Sequence, residues 1–210
     1  MTDKNLLILG DIGPDASRFQ SRAAELGFAS TLREVDNACS LVESEAGSFD
    51  AIIANAGAIR AADGIRAAWV INGPNLNLLG MRETEIYGSD TLRDISERCT
   101  ARARESNIQV RFLQSNHEGE IVDWIQDAVS EVDAIVINAA AYTHTSVAIH
   151  DALQVYPGLK VELHISNPYT REDFRHRSFV SSAVDAVFAG LGTAGYDLVT
   201  DLICEGADVG

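Results

Sequence analysis

Lysine, cysteine and long apolar runs are all scarce in this sequence of 210 residues. Lys4 and Lys160 are the only lysines among 16 basic residues, so a mechanism based on a lysine Schiff base has very few candidates. The three cysteines, Cys39, Cys99 and Cys204, are odd in number and widely spaced, which disfavours both a disulfide framework and a zinc site. No run approaches the roughly 18 to 20 apolar residues that cross a bilayer, and the start of the chain lacks the basic and apolar regions of a signal peptide. We therefore expect a cytoplasmic protein without a membrane partner.

Positive charge is also scarce, because 31 acidic residues give a formal net charge of −15. Nucleic acids and anionic membranes bind cationic surfaces, so neither is an expected partner. A small anionic substrate remains compatible with this balance, since it responds mainly to local charge. Arg82, Arg171 and Arg175 are the candidates for one positive pocket.

Short apolar runs alternate with amphipathic stretches from Ala68 onward. This order is typical of an α/β fold in which helices cover both faces of a parallel sheet. Thr91 and Ser146 are suited to helix N-caps. Asn138, His164 and the turn after Asn72 lie at or just past the carboxyl ends of predicted strands, at the sheet edge where ligands bind in such folds. The predicted elements are 69–72, 91–105, 108–113, 120–129, 134–138, 146–155, 161–165, 180–188 and 195–203.

Residues 1–67 show the same alternation of apolar and amphipathic stretches in shorter form. They are predicted to be a smaller N-terminal α/β extension, with a linker at 57–66. Residues 68–210 form the main predicted domain. The segment 50–58 is similar to 133–141, so the extension is either a degenerate partial repeat or a second βαβ pattern of the common kind. Its apolar or amphipathic stretches are 6–9, 16–26, 30–35, 37–46 and 51–54, and its role is not evident from the sequence.

Arg82 and Tyr87 follow a strand-like run and a Gly/Pro/Asn turn. An unperturbed phenol has a pKa of about 10, and a neighbouring guanidinium that stabilises the phenolate would make Tyr87 a useful base near neutral pH. The alternative is an ordinary turn with a solvated arginine and a packed tyrosine.

His144 lies in a second cluster, 138–146, where a strand end runs through small residues into a helix start. Small residues let a ligand approach the backbone, and N–H groups at a helix N-terminus favour anions. The alternative is a helix cap beside a structural histidine.

Glu162 and His164 form a third cluster, in which a two-residue spacing on a strand points both side chains to one face. The carboxylate can then hold the imidazole in one tautomer and raise its basicity, which makes His164 a candidate general acid. Arg171 and Arg175 follow, and they suit either a bound anion or an ion-pair cluster with Glu172 and Asp173.

Together the three clusters hold a base, an acid and hydrogen-bond donors at one edge of one sheet. This combination suits proton abstraction next to a carbonyl. The resulting enolate would be stabilised by the donors, and a departing hydroxyl would be protonated by His164, without a metal or cofactor.

From Ala68 to about Ile203 the sequence closely resembles type II 3-dehydroquinate dehydratase. The resemblance rests on several motifs in the family's order: Asn72-Gly-Pro-Asn-Leu-Asn, Gly80-Met-Arg-Glu-Thr-Glu-Ile-Tyr-Gly88, Gln114-Ser-Asn-His-Glu-Gly-Glu120, Tyr142-Thr-His-Thr-Ser146, Glu162-Leu-His-Ile-Ser-Asn167, Phe174-Arg-His176 and Gly190-Leu-Gly-Thr-Ala-Gly-Tyr196. It implies a flavodoxin-like fold with a five-stranded parallel sheet. It also implies a hydro-lyase that eliminates water in the anti sense from 3-dehydroquinate, giving 3-dehydroshikimate in the shikimate pathway to chorismate and aromatic amino acids, or in quinate breakdown.

The resemblance also implies a role for each site residue. Tyr87 would take the C2 proton, with Arg82 on a mobile lid and Arg171 keeping the tyrosine pKa low. Asn75 would position a water that stabilises the enolate, and His164, oriented by Glu162, would protonate the leaving C1 hydroxyl. The substrate would be bound by Asn138, His144, the backbone at Ile165 and Ser166, and Arg175.

Asp151 matches the family acid that reaches into a neighbouring subunit's site, and the implied assembly is a homododecamer built as a tetramer of trimers. No cofactor or metal is implied. The chain departs from the family at Ala139-Ala140, where Pro-Gly is usual, and at His150, where arginine is usual. Two other functions stay open. One is a binding or regulatory protein that has lost turnover through the Ala139-Ala140 turn or a blocking extension, and the other, which follows from the fold alone, is a flavin- or nucleotide-binding module.

Overall fold

A mixed sheet of eight strands is the centre of the molecule. A computed structural model describes residues 4–9, 24–25, 28–33, 49–54, 56–60, 62, 64–81 and 89–207. Within these residues the spatial order of the strands is β2-β1-β3-β8-β7-β6-β4-β5. The strands are β1 (Lys4–Leu9), β2 (Phe28–Arg33), β3 (Ala51–Ala54), β4 (Ala67–Asn72), β5 (Gln109–Gln114), β6 (Ala134–Asn138), β7 (Leu159–His164) and β8 (Ala186–Ala189).

Strands β4 to β8 form the parallel series that the sequence predicts. Every residue of β6 and β8 is buried, which is expected of parallel strands covered on both faces. In the β4–β6 pairing Asn72 lies opposite Asn138. The carboxyl ends of these two central strands therefore meet at one point.

Five helices accompany the strands in the described residues: α1 (Ala56–Arg60), α2 (Leu92–Glu105), α3 (Glu118–Glu131), α4 (Val147–Val155) and α5 (Ala194–Ala207). The two predicted caps are confirmed. Thr91 starts α2 with a capping box to Asp94, and the Ser146 hydroxyl accepts a hydrogen bond from the Ile149 N–H, 2.9 Å away, at the start of α4. No helix in the described part of the chain is long and apolar enough to span a lipid bilayer.

The helices cover both faces of the sheet, as predicted. On one face α1, α2 and α5 pack on a cluster that contains Val70, Val136 and the two buried cysteines Cys99 and Cys204. On the other face α3 and α4 pack on a cluster that contains Ile71 and Ile137. Alternate residues of one strand thus pack into the cores on opposite faces of the sheet. The same alternation determines which helix a polar residue at a strand end faces.

The predicted count of five strands is wrong for the sheet as a whole, because β3 pairs with β8 and continues the sheet through β1 to β2. The β3–β8 pairing is antiparallel, which makes the sheet mixed. Three of the predicted apolar runs in the extension coincide with strands. The stretches 16–26 and 37–46 fall largely or wholly outside the described residues, and part of the predicted linker 57–66 belongs to α1.

Candidate active site

A pocket of about 350 Å³ opens at the carboxyl ends of β4, β6 and β7, a size that suits a small ligand. The chain leaves β4 for β5 on one side and then crosses to β6 on the other side. Such a reversal of strand order opens a crevice between the two central strands, and in α/β sheets ligands bind there. The pocket is lined by Pro74, Asn75, Leu76, Leu79, Asn138, Ala140, Ala141, His144, His164, Ile165, Ser166, Arg171, Glu172 and Arg175.

Most of the residues predicted from the three clusters line this one pocket. They are Asn75, Asn138, His144, His164, Ile165, Ser166, Arg171 and Arg175. Glu162 lies directly behind the wall. Arg82 and Tyr87 lie outside the described residues, so the predicted base and its arginine remain predictions.

Asp151 lies apart from the pocket, on α4, with 73% of its side chain exposed. Its nearest ion-pair partner is His150, whose Nε2 is 4.0 Å from the carboxylate. Its predicted reach into a second subunit remains untested.

Glu162 and His164 form the expected pair on β7. The imidazole Nε2–H donates to the Glu162 carboxylate at 2.8 Å, and the carboxylate is fully buried. The donation fixes the tautomer, which leaves Nδ1 as the ring nitrogen that can meet a ligand. The geometry therefore provides an oriented imidazole in the pocket wall.

Three hydroxyl groups surround the Glu162 carboxylate. Thr143 donates at 2.5 Å and Ser178 at 3.1 Å, while Ser181 donates to the second carboxylate oxygen. Burial by itself raises the pKa of Glu162, but the charge of His164 and the hydrogen bonds from His164, Ser181 and Thr143 outweigh it and hold the pKa below its ordinary value. The residue beside His164 is therefore a stable anion.

His144 lies at the end of a 3₁₀ helix, Ala140–His144, that follows β6. Burial lowers the pKa of His144, although its hydrogen bond to the Arg177 carbonyl opposes this shift. That carbonyl can only accept, so Nδ1 donates to it across 2.8 Å, and in the neutral ring Nε2 is an acceptor. His144 can therefore accept a hydrogen bond from a hydroxyl of a ligand.

Arg171 and Arg175 line the pocket and also contact Glu172. The Arg175 Nε donates to the Glu172 carboxylate at 2.8 Å, and the Arg171 Nε lies 3.7 Å from the same oxygen. The ion-pair alternative raised by the sequence is thus observed with Glu172, while binding of an anion remains a prediction. The arginines form an ion-pair cluster with Glu172, and the same cluster faces the pocket.

Asn75 lies in a left-handed turn, with φ 67°, just before the 3₁₀ helix Leu76–Leu78. The Asn116 side-chain oxygen accepts the Asn75 backbone N–H at 2.9 Å, and the Tyr142 hydroxyl donates to the Asn116 carbonyl at 2.8 Å. Asn116 thus ties the turn to the loop after β5.

The Ala139-Ala140 turn has an unusual backbone. Ala140 has φ 50°, a left-handed conformation that costs a residue with a Cβ about 1–2 kcal/mol. Its N–H donates to the Asn138 side-chain oxygen at 3.3 Å. Ala140 therefore adopts a backbone conformation that favours glycine.

Sequence reasoning missed several residues of the site: Asn116, Thr143, Ser178 and Ser181. Asn116 and Thr143 lie within motifs that the resemblance singled out, which was the available signal. The two serines lie 16 and 19 positions after Glu162 in an irregular segment, and only the fold brings them to the carboxylate.

Comparisons with known proteins point to one family. Residues 66–204 match the family model described as dehydroquinase class II. A protein named 3-dehydroquinate dehydratase from Cereibacter sphaeroides is 56% identical over 137 residues, which cover 65% of this chain and 93% of that protein. One of the same name from Streptomyces avermitilis is 54% identical over 142 residues, covering 67% of this chain and 89% of that protein.

Solved structures give the same result. The type II dehydroquinase from Butyrivibrio crossotus superposes with a TM-score of 0.64 at 44% identity, covering 66% of this chain and 97% of that one. The enzyme from Propionibacterium acnes also gives 0.64, at 40% identity, covering 66% of this chain and 96% of that one. The chain belongs to the class II dehydroquinase family.

Proposed function

We propose that this protein is a 3-dehydroquinate dehydratase, a hydro-lyase that converts 3-dehydroquinate into 3-dehydroshikimate and water. The observation that carries the proposal is His164, oriented by Glu162 from behind, in the wall of a pocket that is also lined by amide and arginine side chains. The family match covers this site. The step serves either shikimate biosynthesis or quinate breakdown.

His164 is the proposed general acid. Its Nε2–H is held by the Glu162 anion, so Nδ1 carries the proton that goes to the departing C1 hydroxyl. Loss of that proton leaves a neutral imidazole still hydrogen-bonded to the carboxylate. The three hydroxyl groups around Glu162 keep its charge in place and disfavour transfer of the His164 proton to the carboxylate.

Tyr87 is the proposed base, with Arg82 beside it. The phenolate takes the C2 proton, the electrons move onto the carbonyl oxygen as an enolate, and collapse of the enolate expels the C1 hydroxyl as water once His164 has protonated it. An unperturbed phenol has a pKa of about 10, so cations near Tyr87 are needed to keep a useful fraction of phenolate at neutral pH. Arg171, which lines the pocket, is the proposed second cation.

The remaining pocket residues are assigned to substrate binding. Asn138, His144 and the backbone at Ile165 and Ser166 would contact the carboxylate and hydroxyls. Arg175 would help to bind the substrate, while Asn75 would position the water next to the enolate oxygen. The acceptor nitrogen of neutral His144 supports a hydroxyl partner there.

The finer features of the architecture belong to the same proposal. If β4 to β8 are renumbered 1 to 5 in chain order, their order across the sheet is 2-1-3-4-5, which is that of a flavodoxin-like fold. These strands would belong to a domain of residues 68–210. Residues 1–67 would be an extension. We also propose a homododecamer, a tetramer of trimers, in which Asp151 reaches a neighbouring site, and its exposed carboxylate supports that role.

The assay follows the near-ultraviolet absorbance of the enone product from purified protein. Tyr87→Phe should nearly abolish turnover, whereas Tyr156→Phe, which changes a buried tyrosine near the amino end of β6, should leave kcat within about threefold. Full activity in Tyr87→Phe would remove the assigned base. Substrate binding without product in the unaltered chain would instead favour the binding protein, and inactivation by borohydride with substrate would point to a Schiff base.

A further inference from the structure

The segment Gly190–Tyr196 has no role in the proposal so far, although it lies directly behind the pocket. The Gly190 N–H donates to the His164 carbonyl at 3.1 Å, and the Gly192 N–H donates to the Ile165 carbonyl at 2.9 Å. Both acceptors belong to pocket-lining residues. The segment then enters α5, which places Tyr196 in the first turn of that helix.

The Tyr196 hydroxyl joins two asparagines at the central strand ends. Asn72 and Asn138 lie opposite each other on β4 and β6, and strand alternation points both toward α5. The hydroxyl donates to the Asn72 side-chain oxygen at 2.7 Å and accepts from the Asn138 side-chain nitrogen at 2.8 Å. All three side chains are buried.

The direction of each of these two hydrogen bonds is fixed by the backbone groups that the asparagine side chains also contact. The Asn72 amide nitrogen donates to the carbonyls of Val70 and Leu113, so its oxygen must be the acceptor for Tyr196. The Asn138 oxygen accepts the Ala140 N–H, so its nitrogen must be the donor. Flipping either amide would set two donors or two acceptors against each other.

We propose that Tyr196 is a positioning residue that holds the Asn138 amide in its ligand-binding orientation. The amide nitrogen keeps one N–H, and the oxygen keeps one lone pair, beyond the two bonds already described. Those groups can meet a hydroxyl or carboxylate in the pocket that Asn138 lines. This inference rests on the proposed function only in taking that ligand to be 3-dehydroquinate.

The hydrogen bonds of the Tyr196 hydroxyl should also be independent of pH. Burial raises the pKa of Tyr196 far above neutrality, so the hydroxyl keeps its proton and its donor role throughout the working range. A positioning effect through this hydroxyl should therefore be the same at pH 6 and pH 9.

Tyr196→Phe and Tyr156→Phe make a matched pair for the test. Tyr156 is 2% exposed, like Tyr196, and its hydroxyl donates one hydrogen bond, to the Val132 carbonyl at 2.8 Å, away from the pocket. Each variant removes one buried hydroxyl, so a merely structural role lowers the melting temperature in both. We expect only Tyr196→Phe to raise KM, by about tenfold, with kcat within about threefold, since about one ligand hydrogen bond is weakened.

A double variant asks whether Tyr196 acts through Asn138. Adding Tyr196→Phe to Asn138→Ala should raise KM no further, because the group being positioned is already gone. Equal KM values in the two tyrosine variants, or a further tenfold rise in the Asn138→Ala background, would overturn the proposal while leaving the proposed function intact.

A second readout does not depend on turnover. Hydrogen exchange of the Asn138 side-chain amide, followed by NMR, should be slow in the unaltered chain and in Tyr156→Phe and much faster in Tyr196→Phe. Slow exchange in Tyr196→Phe would overturn the positioning role, even if the protein had no dehydratase activity. Loss of turnover in the unaltered chain would count only against the proposed function.

Discussion

Gly73 is the position at which a single added methyl group should damage both the fold and the site. Its N–H donates to the Asn138 carbonyl at 2.8 Å, where β4 and β6 end side by side. A Cβ at this position would lie 2.4 Å from the Ala139 carbonyl oxygen and 2.7 Å from the carbonyl carbon. Both are backbone atoms, so no side-chain rotation relieves the contact.

The size of the effect follows from the distance that must be gained. Ordinary contacts of a Cβ begin at 3.4 Å, so the two strand ends must separate by about 1 Å. Forced overpacking costs about 1–3 kcal/mol, and the stretched hydrogen bond adds about 1 kcal/mol. We therefore expect Gly73→Ala to lower the free energy of unfolding by about 2–4 kcal/mol.

Activity should fall as well, because Asn75 and Asn138 lie on the two sides of this contact. A displacement of about 1 Å in positioned groups costs about 100-fold in rate. The assays are urea denaturation and initial rates of enone formation with 3-dehydroquinate. Gly119→Ala is the control, because a Cβ at this position, in the first turn of α3, meets nothing within 4 Å. Neither the free energy of unfolding nor the initial rate should fall in this variant.

A Gly73→Ala variant as stable and as active as the unaltered chain would refute the close approach. A variant that stays active but is less stable would refute only the link between strand spacing and catalysis.

Three further changes test other features. Glu162 has a pKa held below its ordinary value of 4.5, so its contribution to stability is present above pH 4.5 and is lost as pH falls below it. The stability deficit of Glu162→Gln in urea should accordingly shrink from pH 7 to pH 4, and a constant deficit would contradict this. Ala140→Gly should raise the free energy of unfolding by about 0.5–1 kcal/mol by relieving φ 50°; Asn107→Gly, at φ 58°, should gain less because asparagine tolerates that region. Gly190→Ala would put a Cβ 2.1 Å from a carbonyl at the start of β3, whereas Gly192 also has a positive φ, 63° against 82°, but has open space around an added Cβ. The melting temperature of Gly190→Ala should be below that of Gly192→Ala by an amount equivalent to about 1–3 kcal/mol. Equal melting temperatures in the two variants would argue against the docking of β3.

Local rules account for the part of the site that was predicted. The two-residue spacing of Glu162 and His164 on a strand specifies their common face. Asn138 and His164 end adjacent parallel strands, so they had to share an edge of the sheet. The N-cap at Thr91 was predictable for the same reason, because it depends on Asp94, only three positions away.

The features that were missed depend on distant parts of the chain. Ser178 and Ser181 reach Glu162 from a loop whose course no local pattern encodes, and Tyr196 meets Asn72 across 124 positions. The strand that β3 joins, and its antiparallel direction, could not be predicted for a related reason. Apolar runs predict that strands exist, but not which edge they join or in which direction.

The antiparallel contact of β3 with β8 also bears on how copies of this chain can meet. In a sheet of β4 to β8 alone, β8 would present a row of unpaired N–H and C=O groups, a template on which a strand from another molecule can add. Here β3 occupies that row, and among the described residues the outermost strands become β2 and β5. Exposed Arg111 on β5 adds a charge that discourages strand addition there. A strand from another molecule could therefore pair with β8 only after β3 had been displaced.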